Sequence, residues 1–141
     1  GLDRMFLAIL SAAYQEEQLP DGSERVVLKI PAVLAPYKAA ILPLIKKDGL
    51  PEKAREIMAD LQLEYSLQYD EKDSIGKRYR RQDAIGTPYS ITVDHQTLED
   101  NTVTIRDRDT MEQQRVSLAE LEQILAKKAS WKSVLSALRL Q

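Results

Sequence analysis

The sequence of 141 residues contains no cysteine, and this absence excludes several kinds of chemistry at once. A disulfide, a thiolate metal site and a cysteine nucleophile all require that side chain. The chain also has only one histidine, His95, so a metal cluster built from cysteine and histidine ligands fails for want of ligands. We expect His95, in the stretch VDHQT, to be an ordinary surface residue of a loop, with a general base as the alternative reading.

Glycine is also scarce, and its placement excludes the common phosphate loops. The five glycines are scattered, and neither GxGxxG nor GxxxxGK occurs. No serine stands in a nucleophile elbow. The acidic residues late in the chain have no calcium-loop spacing, and we interpret them as a solvated rim: Asp94, Glu99, Asp100, Asp107 and Asp109. The sequence therefore predicts no self-contained active site and no metal site.

Long apolar runs and strong net charge are absent as well. No apolar stretch approaches the roughly 20 residues that a membrane-spanning helix needs. The opening GLDRMFLAIL lacks the cationic region and cleavage site of a signal peptide, so we expect a cytoplasmic protein with no membrane partner. The formal net charge is only −2, so a nucleic-acid-binding role would need a local basic patch.

What the sequence does contain is an alternation of strand and helix patterns between residues 39 and 128. Strand patterns cover 39–45, 63–69 and 88–94, followed by two strands that turn near Asp109–Thr110. Helix patterns begin at Pro51, between Ser74 and Gly86, and after a capping box at Ser117 and Glu120. This alternation predicts a three-layer α/β fold with a mixed five-stranded sheet and about three helices.

Both ends of the chain carry further patterns. An amphipathic helix is predicted over residues 2–14, and it begins without a capping residue, so we expect a fragment of a larger protein. Residues 15–38 are expected to be a connector in which ERVVLKI forms a short strand. A last short helix is predicted to carry Trp131, Val134, Leu135 and Leu138 on one face.

The strongest local charge lies in SIGKRYRRQDAIG, from Ser74 to Gly86. Four cations stand within five positions, Lys77, Arg78, Arg80 and Arg81, although the whole chain is slightly acidic. On a helix they spread over a broad face. Two readings remain open: a solvated helix face, or a surface where lysine and arginine neutralise RNA phosphates and an arginine stacks on a base.

A second pair of arginines lies in TVTIRDRD. Strand alternation places Thr102, Thr104, Arg106 and Arg108 on one face. An Arg-x-Arg pair on a sheet surface can clamp phosphates or bases. It can equally form ion pairs with Asp83 or Glu112, which contribute little to stability if they are exposed.

At these residues the sequence resembles a known family. SIGKRYRRQDAIGTPYSITVD and TVTIRDRDTMEQQRV resemble the C-terminal region of the dimeric glycyl-tRNA synthetases, and LKIPAVLAPYKAAILPL is similar to the entry into their anticodon-binding domain. GLDRMFLAIL is similar to the end of class II motif 3. The resemblance covers about residues 1–128. It implies that 1–30 are the end of a catalytic domain plus connector, and that 31–141 are the anticodon-binding domain with C-terminal helices.

The resemblance also implies a function, partners and site residues. The parent is expected to be a homodimeric glycine–tRNA ligase that uses ATP with magnesium, whereas this part needs no cofactor and binds the anticodon loop of glycine tRNA, not DNA. Arg4 corresponds to the ATP-contacting arginine of motif 3. The family's DEIG and its aromatic residue after VD are replaced by Ala84 and His95. We expect the anticodon surface to comprise Arg78, Arg81, Asp83, Tyr89, Arg106, Arg108 and Glu112.

Two alternatives stand beside this interpretation. The first is a stand-alone accessory module that keeps the anticodon-binding fold for RNA or protein contacts. The motif 3 stretch at Gly1–Ala13 disfavours it, because such a module needs no such helix. The second is an α/β domain that binds a small molecule at its strand ends, which would leave the two arginine groups unexplained.

A first prediction concerns catalysis. Since motifs 1 and 2 do not occur in these residues, we expect the chain by itself not to adenylate glycine. ATP–pyrophosphate exchange with glycine measures this directly. Glycine-dependent exchange by the purified chain would contradict the expectation.

Overall fold

The computed structural model describes residues 1–128. Five helices and seven strands follow one another in this order: α1 Leu2–Ala13, β1 Tyr14–Gln18, β2 Glu24–Leu28, β3 Ala39–Pro43, α2 Leu50–Leu61, β4 Leu67–Tyr69, α3 Ile75–Ile85, β5 Tyr89–Val93, α4 His95–Asp100, β6 Thr102–Asp107, β7 Gln113–Ser117 and α5 Leu118–Lys128. A single 3-10 turn, Ala32–Leu34, precedes β3. The helix predicted around Trp131 lies outside the described residues.

Strands β3 to β7 form one mixed sheet in the order β4-β3-β5-β6-β7. β3 pairs in parallel with both β4 and β5, while β6 runs antiparallel to its neighbours β5 and β7. The predicted mixed five-stranded α/β fold is therefore confirmed. Pro43 is the last residue of the inner strand β3 and does not interrupt it, as expected for a residue that cannot donate to a sheet ladder.

The two faces of the sheet are covered differently. One face buries Ile41, Ile91, Val103 and other apolar side chains against α2 and α5, and this is the main core. Burial of this surface supplies the hydrophobic stabilisation of the domain. The other face meets α3 through polar side chains, among them Tyr79, whose hydroxyl lies 2.7 Å from Thr92 Oγ1. The structure thus has three layers, with an apolar and a polar interface.

Helix α3 has the ends that the sequence predicts. Ser74 is its N-cap and accepts a hydrogen bond from the backbone of Lys77 at 3.4 Å. Gly86 ends the helix at φ +85°, a left-handed conformation that favours glycine. The whole basic stretch is therefore helical and lies between fixed ends.

The amino-terminal segment packs beside this domain. The second half of α1 packs through Ile9, Leu10 and Ala13 on Ile30 and Ala35. β1 and β2 form an antiparallel hairpin. Strand β1 was not predicted: its first residue, Tyr14, was expected to end the helix, and the rest was expected to be connector. This polar YQEEQ stretch becomes a strand only by pairing with β2.

Two other expectations need correction. The strand predicted over 63–69 begins only at Leu67, because the backbone turns after α2 and leaves Leu63 86% exposed. His95 is not in a loop: it opens α4, where Asp94 and Thr97 cap each other reciprocally. α4 has six residues, too few for a clear periodic pattern.

The contribution of Gly86 to stability can be tested by comparison with Gly22, which serves as the control. Gly22 and Gly86 both have positive φ, at +87° and +85°. A Cβ at Gly86 would lie 3.2 Å from the Leu28 carbonyl oxygen, whereas a Cβ at Gly22 meets nothing within 4 Å. Gly22→Ala should cost about 1–2 kcal/mol of unfolding free energy through backbone strain alone, and Gly86→Ala should cost more. Urea denaturation measures both, and equal losses would contradict the role of the close approach.

Candidate nucleic-acid interface

The seven predicted anticodon residues do not lie on one surface: five lie on the α3 side of the sheet and two on the α5 side. Arg78, Arg81, Asp83 and Arg106 lie at the interface between α3 and the sheet or on α3 itself, and Arg108 lies just beyond the end of β6. Tyr89 and Glu112 line a groove on the α5 side. Five of the seven are buried: Arg78, Asp83, Tyr89, Arg106 and Arg108. Direct contacts between these seven residues and RNA stay a prediction.

Asp83 is a fully buried carboxylate shared by arginines from other elements. Arg106 donates to it from Nη1 at 2.7 Å and from Nη2 at 3.1 Å, in a two-pronged arrangement. Arg25 of β2 donates to it from Nη1, also at 3.1 Å. Of the two readings of the Arg-x-Arg pair, the ion pair with Asp83 is the one that Arg106 adopts here, and it is buried.

Sequence reasoning missed Arg25, which is 2% exposed. Its Nε donates to Glu17 at 2.8 Å and its Nη1 to the Arg108 carbonyl oxygen at 2.8 Å. Burial opposes its charge, but the hydrogen bonds that it donates to Glu17 and Asp83 prevail and raise the pKa of Arg25. The alternation of ERVVLKI places Arg25 beside buried Val27 on one face of β2, and that was the available signal.

Within residues 1–128, Arg78 forms no ion pair with a carboxylate and donates to backbone carbonyl groups instead. Its guanidinium donates to the carbonyl oxygens of Pro43 and Leu44, the latter at 3.0 Å, where β3 ends. Burial lowers the pKa of Arg78 from its ordinary value. Arg78 therefore connects α3 to the end of β3, and its guanidinium faces inward.

Arg106 and Arg108 also act within the fold. The Arg106 guanidinium lies over the Tyr79 ring, 4.8 Å from its centroid. Arg108 donates to the carbonyl oxygens of Gly86 and Ile30, both at 2.8 Å. These two arginines connect β6 and its end to α3 and to the amino-terminal segment.

The exposed cations form a separate surface on the same side of the sheet. Lys77 is exposed, and the side chains of Arg80 and Arg81 are 42% and 41% exposed. On β7, Gln113 and Arg115 are exposed and pair with Arg106 and Thr104, which places them on the side of α3. We call Lys77, Arg80, Arg81, Gln113 and Arg115 the α3 face.

The members of the α3 face differ in their present partners. Arg81 is held by Asp70 and Asp73, both at 2.7 Å, and these two carboxylates raise its pKa. Arg80 lies 3.6 Å from Asp83, a longer contact. Arg115 pairs with Asp94, which raises the pKa of Arg115. Among the three arginines of the α3 face, Arg80 thus has the longest contact with a carboxylate.

Charge is segregated between the outer layers. Exposed Lys46 and Lys72 lie in loops near Asp73, just before α3. Arg81 first, with smaller effects of Lys77 and Lys46, lowers the pKa of Asp73. The outward side of α2, in contrast, exposes Glu52, Glu56 and Asp60. A polyanion would therefore meet attraction on the α3 face and repulsion on the α2 layer.

The remaining predicted residues do not assemble into a catalytic or metal site. Among residues 1–128, no group of three or more histidine and acidic side chains could hold a metal ion. His95 contacts Asp48 at 2.9 Å on the surface. Arg4 is exposed on α1. Each helix in this part of the chain is too short or too polar to cross a bilayer.

The sequence and the fold of this chain both match known proteins. The sequence profile described as "Anticodon binding domain" matches residues 38–128. The glycine–tRNA ligase of Alkaliphilus metalliredigens is 56% identical over 128 residues, 91% of this chain and 27% of that protein. The glycine–tRNA ligase of Clostridium beijerinckii is 57% identical over 122 residues, 86% and 26% of the two chains. The chain thus spans about a quarter of the length of these curated relatives.

Solved structures agree at the level of the fold. The RNA binding domain of threonyl-tRNA synthetase from Cryptosporidium parvum Iowa II aligns with TM-score 0.64 and 23% identity over 71% of this chain and 25% of that chain. Prolyl-tRNA synthetase from Cryptosporidium parvum aligns with TM-score 0.64 and 16% identity over 81% and 32%. At these identities the likeness shows a common fold only.

The buried carboxylate generates a stability prediction. Asp83→Asn keeps the shape but leaves buried Arg106 without a compensating charge and Arg25 with Glu17 alone, so it should cost about 3–5 kcal/mol of unfolding free energy. Asp73→Asn removes only an exposed partner of Arg81 and should cost less than about 1 kcal/mol. Urea denaturation of both variants decides: a similar small loss for each would show that Asp83 is not structural.

Proposed function

Because the chain belongs to the anticodon binding domain family, as its match over residues 38–128 shows, we propose that it binds the anticodon loop of a transfer RNA. The observation that carries this proposal is the α3 face. Its exposed cations stand on one side of the sheet, above a floor fixed by buried arginines. Cations that are exposed and segregated suit an RNA backbone, whose phosphates supply most of the binding free energy.

We further propose that the transfer RNA is specific for glycine and that the chain works as part of a glycine–tRNA ligase. This rests on 51–57% identity to glycine–tRNA ligases. The larger protein would form glycyl-tRNA from ATP with magnesium, glycine and the RNA, as a homodimer. Residues 1–30 would then end its catalytic domain and 31–141 would form the anticodon-binding domain.

Different residues of the α3 face suit different parts of the RNA, its phosphates and its bases. Lys77 and Arg80 are placed to neutralise phosphates, since they project from the outer side of α3. Gln113 and Arg115 of β7 lie on the uncovered part of the sheet, where an unstacked base can reach amide and guanidinium groups. The surface is held in place by three buried arginines, Arg78, Arg106 and Arg108.

The glycine anticodon makes the readout specific enough to test. Glycine codons begin with two guanines, so the last two anticodon bases are cytosines. Cytosine presents an amino donor together with ring nitrogen and carbonyl acceptors. Guanidinium and amide donors, with a carboxylate such as Asp94 beside Arg115, match that pattern.

The prediction is that Arg80→Ala weakens binding of a glycine anticodon stem-loop and lowers the salt dependence. Loss of one phosphate contact should reduce the slope of log affinity against log salt by about 0.7. The matched control is Arg55→Ala on α2, an exposed arginine 59% accessible on the opposite layer. Fluorescence anisotropy across salt concentrations measures both.

The same titration tests the function itself. A stem-loop in which both cytosines are replaced by uracil should bind less tightly than the glycine stem-loop at every salt concentration. Equal affinities for the two RNAs would refute anticodon readout. Equal weakening by Arg80→Ala and Arg55→Ala would refute the assignment to the α3 face.

A further inference from the structure

An open trough follows the seam between β7 and α5, on the side of the sheet opposite to the α3 face. Its larger part has a volume of about 590 Å³, and its apolar lining is Tyr89, Ile105 and half-buried Ile124. Its smaller part, about 350 Å³, shares Gln114 and Ile124 with the larger one and continues along the same strand and helix. A space of this size can take several side chains of another segment. We call it the β7–α5 trough.

The described part of the chain ends at one end of this trough. Lys128, the last residue of α5, borders the larger part together with Thr110 and Glu112 of the β6–β7 turn. The other end of the trough lies at Glu120, in the first turn of α5. Short connections make consecutive helices antiparallel neighbours. A segment that follows Lys128 after a short connection would therefore run back along the trough, antiparallel to α5.

The sequence of residues 129–141 has the apolar pattern that such a trough requires. Four apolar residues recur there at helical spacing: Trp131, Val134, Leu135 and Leu138. On a helix, the distance from the first to the last of them would be about 10 Å. α5 borders the trough from Glu120 to Lys128, about 12 Å on the same scale. The apolar pattern therefore matches the trough in length.

Charge favours the same segment as the occupant. The charged groups around the trough are three carboxylates and two lysines: Asp107, Glu112, Glu120, Lys127 and Lys128. Residues 129–141 contain two cations, Lys132 and Arg139, and no aspartate or glutamate. A rim with an excess of carboxylates attracts such a segment and repels a phosphate backbone.

We propose that residues 129–141 of this chain dock in the β7–α5 trough, with the Trp131 ring in its larger part. The ring packs against Tyr89 and Ile105, because a large aromatic side chain is the one that contributes most apolar area to such a contact. The apolar residues that follow Trp131 extend the contact over Ile124 towards the smaller part. The inference goes beyond the proposed function, because it assigns a contact within the chain and requires no RNA.

The first test uses the fluorescence of Trp131, the only tryptophan of the chain. In the native full chain its emission should lie at shorter wavelength than in urea, and acrylamide should quench it less. Gln114→Arg places a larger, charged side chain in the trough, so it should shift the emission to longer wavelength and increase quenching. Gln15→Arg, at an exposed position of strand β1, is the matched control and should change neither quantity.

Two results of this experiment would overturn the proposal. One is a native emission and quenching equal to those of the unfolded chain, since Trp131 would then be in solvent. The other is an equal response of Trp131 to Gln114→Arg and to Gln15→Arg, since the trough would then not be its surroundings.

The second test locates the segment directly. The chain has no cysteine, so Ser136→Cys, a position off the apolar stripe, carries a nitroxide label at one site only. NMR line broadening by the label should be strongest at the amides of Gln114 and Ile124 and weak at Arg80 on the opposite side of the sheet. Broadening centred on Phe6 of α1, which is 50% exposed, would place the segment on that apolar surface instead and overturn the proposal.

A mixed sample decides between one chain and two. An isotope-labelled chain without nitroxide is mixed with a nitroxide-labelled chain without isotope, and broadening can then arise only between copies. Absence of broadening at Gln114 in this mixture supports a contact within one chain. Broadening as strong as in the doubly labelled chain would assign the trough to a second copy and overturn the proposal.

The outcome is independent of the anticodon proposal. Arg80→Ala should leave the emission of Trp131 unchanged, because Arg80 lies on α3, on the other side of the sheet. Weak stem-loop binding with a shielded Trp131 would contradict only the α3 face. A solvent-exposed Trp131 with normal stem-loop binding would contradict only the docking of residues 129–141.

Discussion

The arrangement of this chain depends on one buried carboxylate, that of Asp83. It joins three elements, since Arg25 comes from the hairpin, Arg106 from β6 and Asp83 itself from α3. A carboxylate without solvent must be paired, and two guanidinium groups without solvent must be neutralised, so none of the three can move alone. The orientation of α3 on the sheet, and of the hairpin on α3, follows from that constraint.

The same constraint gives the arginines two different roles, one in the fold and one at the surface. Arg78 and Arg106 are buried and occupied by backbone or carboxylate groups, so they shape the polar layer between α3 and the sheet. Arg80 projects outward, with Asp83 at 3.6 Å as its nearest carboxylate. A basic stretch that looks uniform in the sequence therefore has an inner set that builds the fold and an outer set that is available to a polyanion.

Much of the fold could be predicted because its signals are local. Ser74 and Gly86 mark the ends of α3, and alternation marks β5 and β6. β1 was missed because it is polar and exists only through pairing with β2. The burial of Arg78 and Arg106 was missed for a different reason: periodicity assigns a side chain to a face but does not say what covers that face. Whether Arg106 contacts RNA or forms a buried ion pair depends on the element that packs on that face.

The account's central claim is that outward cations on α3 and β7 form the RNA surface, while the buried arginines hold it in place. Amide chemical-shift mapping of the isotope-labelled chain with a glycine anticodon stem-loop tests this most directly. We expect the largest changes around Arg80 and Arg115, and little change along the exposed acidic side of α2 around Glu56. Changes concentrated on α2, with α3 and β7 unaffected, would contradict the account.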